Sequence, residues 1–285
     1  MTVPDARDWW SALEPVHAVV YFDEGCRRSM ADLGLRGFWM GYFAGRAAPL
    51  GPVGPEPVSA LFCNFAPEMV ARAIPDAWAI ADPSRVWEAR RAGAAAMLQR
   101  VAPGVSVTAE RTVPALTRAV AAASGAGRTL FAATRATGCP DDPVEALWWA
   151  CTCLREHRGD GHVAALTASG LDGIEALVLF AAGEGLSEGM FLSARGWSED
   201  EWADADGRLR SRGLLGPDGI APEGIRLRRS VEVATDLQAA LPFRALGDRE
   251  RREVFDALEP IGRAIHASGV IAYPNPMGLP EPSGG

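Results

Sequence analysis

The sequence predicts a mainly α-helical protein that is built from two related halves. Three observations lead to this fold class. Apolar residues recur at three- and four-residue spacing through most of the chain, which is the period of a helix with one buried face. The two halves match each other at a nearly constant offset. One segment of the second half, residues 213–227, is instead rich in glycine and has the pattern of a small β hairpin.

The first half divides into helices that are separated by proline- and glycine-rich turns. Residues 8–22 form the first predicted helix, interrupted or kinked at Pro15, and a second helix with an aromatic face runs over 27–46. A turn-rich piece follows over 49–57. The other predicted elements of this half are helices over 58–65, 67–79, 82–100 and 113–123 and a short strand over 105–108.

Sliding the sequence by 116 positions (161 − 45) superimposes the two halves, with Gly45 on Gly161. Other matching positions are Leu50 and Leu166, Val58 and Ile174, and Glu68 and Glu184. Their order and near-constant offset favour a duplication, although two alanine-rich helical segments can also match by chance. The predicted domains are a first helical unit over 1–125 and a second unit over 126–285, which includes the C-terminal helices.

The second half contains the most specific motif. Helices are predicted over 171–182, 186–195 and 198–212, and they are followed by the glycine-rich segment. This segment contains Arg212-Gly213-Leu214-Leu215, Asp218-Gly219 and Gly224, and it resembles the wing of MarR-type winged-helix proteins. Two further segments, Gly37–Arg46 and Leu154–Leu166, are similar to a high-GC bacterial family that is labelled only helix-turn-helix.

The resemblance implies a fold and a kind of partner. MarR-type proteins are two-fold dimers that bind small molecules between their dimerisation helices and their winged-helix lobes. Two such subunits in one chain imply two tandem winged-helix units with small β wings, forming a single-chain pseudo-dimer. We therefore expect a monomer with one asymmetric central cavity and a small organic molecule as its partner.

DNA binding is the other function that the resemblance implies, and the charges argue against it. The net charge is −8, whereas nucleic-acid binders usually carry a basic surface. The helix over 198–212, which would enter the major groove, has five acidic side chains against three arginines. A ligand-responsive regulator remains an alternative. Its candidate DNA-binding residues are Arg85, Arg90, Arg91, Arg226 and Arg228.

The stretch Leu154–Leu166 is the predicted functional site, because it concentrates two of the four histidines and several charges around two glycines. Those glycines predict a break between helices. The 116-residue offset places the stretch opposite the helix over 27–46, so that aromatic and polar side chains would face each other in a cavity. An arginine there can pair with a carboxylate or phenolate of the ligand. The candidate ligand-binding residues are Trp39, Tyr42, Phe43, Arg46, His157, Arg158 and His162.

Three alternatives apply to the same stretch. An enzyme without a cofactor would use His157 or His162 as a general base beside Asp160. A purely structural role would make Glu156, Arg158 and Asp160 a buried ion network, with Asp160 capping a helix that starts near His162. A metal site of His157, Asp160 and His162 has suitable ligand types but an unfamiliar spacing, so no metal is expected.

Several common function classes are excluded by missing residues. The chain has no lysine, which excludes a P-loop and Schiff-base chemistry, and Gly125-Ala126-Gly127 lacks the third glycine of a dinucleotide site. No cofactor is therefore expected. The five cysteines have no metal spacing and are predicted to be reduced thiols. No run approaches the ~18 apolar residues of a membrane span, and the N-terminus has no basic leader, so we expect a cytoplasmic protein.

Overall fold

The computed structural model describes residues 3–273, 275 and 279, and these residues are mainly helical. The first elements are α1 (Ala6–Phe22), α2 (Glu24–Asp32), α3 (Gly37–Ala47), α4 (Pro55–Leu61), α5 (Pro67–Ala71), α6 (Asp76–Ile80), α7 (Pro83–Val101), α8 (Val105–Ala122) and α9 (Thr129–Ala136). They are followed by α10 (Pro143–Ala168), α11 (Gly173–Glu184), α12 (Glu188–Arg195), α13 (Glu199–Ser211), β1 (Leu215–Gly216), β2 (Gly219–Ile220), α14 (Pro222–Ala239) and α15 (Asp248–Ala267). The prediction of a mainly helical fold with a small β element is confirmed.

Two hydrophobic cores lie along α10, a helix of 26 residues in the middle of the chain. The larger core contains the buried faces of α1, α7 and α8, and Trp148 of α10 is completely buried in it. The smaller core is formed by α11, α12 and α13, with Phe191 and Leu209 at its centre. The C-terminal part of α10 adds Leu166 to this second core. The long helix therefore belongs to both cores and connects them.

Side-chain caps explain where several of these helices begin. Asp5, Asp172 and Ser198 each accept a hydrogen bond from the third amide of the helix that follows, and in each case the third residue bonds back in a capping box. Pro83 and Pro143 stand at the first position of α7 and α10, where an amide hydrogen would have no partner in the helix. The predicted starts of α1, α7, α11 and α13 are confirmed within two residues.

Two helices that the pattern predicts as continuous are divided in the structure. The predicted helix over 27–46 is wrong, because α2 ends before Gly34, whose φ of +91° is left-handed and cannot continue a right-handed helix. The predicted helix over 67–79 is divided into α5 and α6. Pro75, which has no amide hydrogen, lies directly before the second of these helices.

The predicted strand over 105–108 is also wrong, because these residues form the first turn of α8. Their alternating β-branched side chains favour a strand locally. The whole segment, however, buries residues at helical spacing, from Val105 and Ala109 to Leu116, against the larger core. The packing of one helical face over the 18 residues of α8 thus outweighs the local strand preference of residues 105–108.

The predicted hairpin is confirmed, although it is short. β1 and β2 pair antiparallel, with Leu215 opposite Ile220, and Gly219 supplies a positive φ of +115° at the turn. The wing ends there, because α14 begins at Pro222, within the segment that the pattern assigns to the hairpin.

No single helix in the described part of the chain is long and apolar enough to cross a membrane. By length and composition α10 and α11 pass that test only as a pair, across a bend of 95°.

Candidate functional site

A cavity of about 310 Å³ lies between the two halves of the chain, beside α10. α1, α3 and residues 61–65 form one side, and α11, α12 and α14 form the other. Its charged lining consists of six arginines and four carboxyl groups: Arg7, Glu14, Arg46, Arg155, Glu156, Arg158, Asp160, Arg195, Arg228 and Glu232. The second core contributes an apolar wall that includes Leu177, Phe180 and Phe191. The volume is at the lower end of the range for small-molecule sites.

Glu156 is the centre of a buried ion network at the inner end of the cavity. Its carboxylate accepts two hydrogen bonds from Nη2 of Arg46, at 3.1 and 3.2 Å, and one from Arg155, at 2.8 Å. Arg155 also pairs with Glu14 at 3.2 Å. Burial raises the pKa of Glu156, but Arg46 and Arg155 outweigh this effect and keep its pKa below the ordinary value. The predicted network of Glu156, Arg158 and Asp160 is wrong in its partners, because Glu156 pairs with Arg46 and Arg155, while Arg158 pairs with two acids of α14.

A second charged cluster forms the more exposed rim. Arg7 and Arg158 both pair with Glu232 and Asp236 of α14. Nδ1 of His162 lies 3.1 Å from Oγ1 of Thr235, so this histidine is also held by α14. Burial lowers the pKa of His162, against the opposing effect of the Glu232 carboxylate. The rim therefore joins α1, α10 and α14 at the entrance of the cavity.

Asp160 lies in the cavity wall and caps a helix other than its own. Its Oδ2 accepts a hydrogen bond of 2.9 Å from the amide of Phe131, the third residue of α9. The predicted cap of a helix near His162 is therefore wrong, but the capping chemistry is right: the carboxylate satisfies an amide at the positive end of α9. Burial raises the pKa of Asp160 to about 6, and Glu156 adds to this effect.

The predicted break at Gly159 and Gly161 is wrong, since α10 continues through both glycines. A Cβ on Gly161 would lie 2.5 Å from Nη1 of Arg128. That guanidinium rests on the helix, donates to the carbonyl of His157 and donates to Oε1 of Gln238 at 2.8 Å. Gly161 thus allows an arginine to approach the helix backbone closely, a role in which glycine is preferred.

His157 does not line the cavity. Its ring packs edge-on against Phe131, with 5.0 Å between the ring centroids, and its side chain is almost completely buried. Burial and the nearby Arg128 lower the pKa of His157 to about 4, so the imidazole is neutral at physiological pH. No hydrogen bond between Asp160 and His157 or His162 occurs in the described residues, which hold no group of three or more potential ligands placed for a metal ion. The structure thus does not bring the proposed histidine and aspartate pair together.

Of the predicted aromatic residues, Tyr42 lines the cavity, whereas Trp39 and Phe43 pack in the larger core. The Tyr42 hydroxyl accepts a hydrogen bond of 3.2 Å from Arg46. Burial raises the pKa of Tyr42, but Arg46 and Arg195 outweigh this and lower its pKa below the ordinary value. The electrostatic potential at this hydroxyl is therefore positive.

Comparison with known proteins identifies the family. The sequence profile of the helix-turn-helix family matches residues 6–272. The chain belongs to the helix-turn-helix family. No curated protein and no solved structure matches it. In this helix-turn-helix protein, α12 and α13 are joined by a short turn and followed by the hairpin, which is the order of a DNA-reading unit.

The arginines of α13 are engaged in ion pairs with the protein's own acids. Arg208 pairs with Asp172 at 2.9 Å and with Glu175 at 3.0 Å, and Arg212 also pairs with Glu175, at 3.2 Å. Arg210 is bound in the same way by Asp206, one turn earlier. The acidic first turn, Glu199 to Glu201, stands on the exposed end of the same helix. The surface of α13 that would face DNA phosphates is therefore not basic.

The other predicted DNA-binding arginines have different environments. Arg90 is only 5% exposed and donates to the hydroxyl of Tyr21 at 2.9 Å, so its guanidinium is not on a surface that DNA could contact. Arg85 is exposed. The remaining three are ion-paired: Arg91 with Glu145, Arg226 with Glu223, and Arg228 with Glu184.

Several cavity residues do not follow from the sequence pattern. Arg155 and Glu156 lie inside the predicted stretch, and their adjacent opposite charges in a mostly apolar helix are a signal that could have placed them in the site. Glu14 is similar, because it is an acid surrounded by apolar residues in the middle of α1. Arg195 and Phe180 carry no such signal, since they reach the cavity only through the packing of the second core.

Proposed function

We propose that this helix-turn-helix protein binds a small organic molecule with an acidic group in its central cavity, and that its DNA binding is reduced. The observation that carries the proposal is the inner end of the cavity, where arginines surround Tyr42 and lower its pKa in spite of burial. Nε of Arg46 is buried and has no hydrogen-bond partner in the described part of the protein. A buried unpaired donor is costly unless a partner satisfies it.

The charges at the rim do not add to the preference of the inner end of the cavity for an acidic group. Arg228 is neutralised by Glu184 from outside the cavity, and Asp236 shares the charge of Arg158. The positive potential is therefore local to the inner end, and it favours an anionic group there. The opposite wall is apolar, so the rest of the ligand is expected to be a hydrophobic framework.

The positions of the helices support a duplicated chain with tandem winged-helix units over 1–125 and 126–285. The offsets between starting residues are 118 for α4 and α11 (173 − 55), 116 for α7 and α13 (199 − 83) and 117 for α8 and α14 (222 − 105). The first unit differs in that α7 extends to Val101 and no strand follows it among the described residues. A single-chain pseudo-dimer with one asymmetric cavity is consistent with these bounds.

A ligand titration with two fluorescent organic anions of different size, 2-naphthoate and 8-anilinonaphthalene-1-sulfonate, tests the proposal. We expect saturable binding of at least one anion, and weaker binding of neutral 2-naphthamide. Arg46→Gln should weaken anion binding by about tenfold or more, because a hydrogen bond to a charged group is lost. Arg249→Gln, which removes an arginine whose side chain is 89% exposed on α15, is the matched control and should leave affinity unchanged.

Near-UV circular dichroism of each variant checks that the fold is retained. Equal affinity of the wild type and Arg46→Gln for both anions, or absence of binding to the wild type, would contradict the proposal.

A ligand-responsive regulator is the second candidate function, and the hairpin after α13 is the observation that favours it. An electrophoretic mobility shift with DNA from upstream of the protein's own gene, at physiological salt, separates the two. We expect no sequence-specific shift, because the arginines of α13 are already paired and its first turn is acidic. A specific shift that an excess of unrelated DNA does not remove would establish the regulator instead.

A further inference from the structure

Asp160 differs from the other carboxyl groups that line the cavity. Glu14, Glu156 and Glu232 each form an ion pair with at least one arginine. Asp160 forms none within the part of the chain that the structure describes, although Arg128 and Arg46 are near enough to influence it. A carboxylate in a wall with six arginines is therefore left without a cation of its own.

The orientation of this carboxyl group is fixed. Oδ2 is held by the amide of Phe131, while Oδ1 makes no hydrogen bond to any described residue. The contact of Arg128 with the backbone at Gly161 holds the neighbouring turn of α10 in place. A side chain in a defined position, with one oxygen engaged and the other available, is preorganised to bind a ligand.

The surroundings of Asp160 determine which ligand group fits. Glu156 lies one turn earlier on α10, Arg46 faces it from α3, and Arg128 faces it from the segment before α9. A second anionic group would be repelled by the ionised carboxylate. A cationic group would meet the two arginines. A neutral hydroxyl can donate a hydrogen bond to Oδ1 and is repelled neither by the carboxylate nor by the two arginines. When Asp160 is protonated, the hydroxyl oxygen of the ligand can instead accept a hydrogen bond from the proton on Oδ1.

We propose that Oδ1 of Asp160 binds a hydroxyl group of the ligand, so that the cavity is selective for hydroxylated organic acids. The proposal rests on the proposed function, since it assumes that the acidic group binds at the inner end near Arg46. It adds a second polar contact at a different place in the cavity wall. Asp160 is then a specificity-determining residue, and the two contacts together fix the ligand's orientation.

Matched probes test the proposal. The affinity of 2-naphthoate is compared with those of its 5-, 6- and 7-hydroxy derivatives, in which the hydroxyl is on the ring distant from the carboxylate. At least one isomer is expected to bind about tenfold more tightly than 2-naphthoate, because it gains a hydrogen bond to a charged group. Asp160→Asn retains an acceptor for Phe131 and should reduce this advantage to about threefold or less.

The unmodified protein provides a second measurement that does not depend on the folding of a variant. Its preference for the hydroxylated probe should decrease as the pH falls through about 6, where Asp160 becomes protonated and the hydrogen bond loses its charge. In Asp160→Asn the preference should not vary with pH.

The outcomes distinguish the two proposals. Arg46-dependent binding of 2-naphthoate with no gain for any hydroxylated isomer, or with a gain that persists in Asp160→Asn, overturns the role of Asp160 and leaves the proposed function intact. Absence of Arg46-dependent binding by every probe overturns both.

Discussion

Replacement of Asp160 by asparagine is expected to stabilise the folded protein at neutral pH. The Asp160 side chain is 7% exposed, and burial is the main cause that raises its pKa from 3.8 to about 6. Because the folded-state pKa is above the unfolded-state value, folding favours the protonated form. The stability from this group is present in full below about pH 4 and is lost as the pH rises to about 6.

The magnitude follows from the size of the shift. Two pKa units correspond to about 3 kcal/mol, which is the penalty for keeping Asp160 ionised above about pH 7. Asparagine removes the charge and therefore the penalty. It is a weaker acceptor for the amide of Phe131, which costs about 1 kcal/mol. We therefore expect Asp160→Asn to raise the free energy of unfolding by about 2 kcal/mol at about pH 8 and to lower it slightly at about pH 4.

Urea unfolding followed by far-UV circular dichroism measures this difference at both pH values. Asp218→Asn, which removes one carboxylate from the exposed turn of the hairpin, is the matched control and should change stability by less than about 0.5 kcal/mol. A gain of the same size at both pH values would show that burial of the charge is not its cause. A loss of stability at about pH 8 would mean that the cap of α9 outweighs the cost of the charge, and the reasoning would fail.

Three further predictions concern the packing around α10. Gly161→Ala should destabilise the protein by about 1–3 kcal/mol in urea unfolding, because the new methyl group displaces Arg128. Gly159→Ala meets only ordinary contacts at 3.5 Å, so it should stabilise the protein by up to about 1 kcal/mol through its higher helix propensity. Equal effects of the two substitutions would contradict the packing argument. Gly173→Ala places a Cβ on a backbone carbonyl of the neighbouring loop and should cost more than about 3 kcal/mol, so a wild-type melting temperature would refute it. His157 has a folded-state pKa of about 4, below the unfolded-state value of 6.5, so the free energy of unfolding should fall by about 3 kcal/mol as the pH drops from about 6.5 to about 4. His157→Gln should flatten this dependence of stability on pH. An unchanged slope in the variant would exclude His157 as its source.

The sequence pattern was sufficient for the parts of the fold that depend on local chemistry. The capped start of α13, the helix from Asp82 and the hairpin around Asp218-Gly219 all rest on side chains that act within a few residues of themselves. The break predicted at Gly159 and Gly161 was wrong because the helix there depends on contacts with distant residues and not on local chemistry. Two glycines cost a helix about 2 kcal/mol, and only contacts with distant residues, Arg128 above all, offset that cost.

In the candidate site, too, the sequence predicts what depends on local chemistry but not what depends on distant contacts. The concentration of charge in Leu154–Leu166 predicted a site at this stretch, and Arg158, Asp160 and His162 of the stretch line the cavity. Which partners they have could not be predicted, because every basic side chain is an arginine and many acids are available. Arg46, one of the two partners of Glu156, lies 110 residues away in the sequence, and tertiary packing determines which arginine fills that position.

The helix-turn-helix unit has a structural role in the cavity that does not depend on DNA. The backbone of its turn is bonded to the loop that follows α4: the amide of Ala66 donates to the carbonyl of Arg195 at 2.9 Å, and the indole of Trp197 donates to the carbonyl of Asn64 at 2.9 Å. The same loop and the side chain of Arg195 form part of the cavity wall. Because a cavity is only as well defined as the elements that enclose it, removal of α12 and α13 would open the site. A helix-turn-helix unit whose α13 arginines are already paired can thus still be required, as a wall of the proposed ligand site.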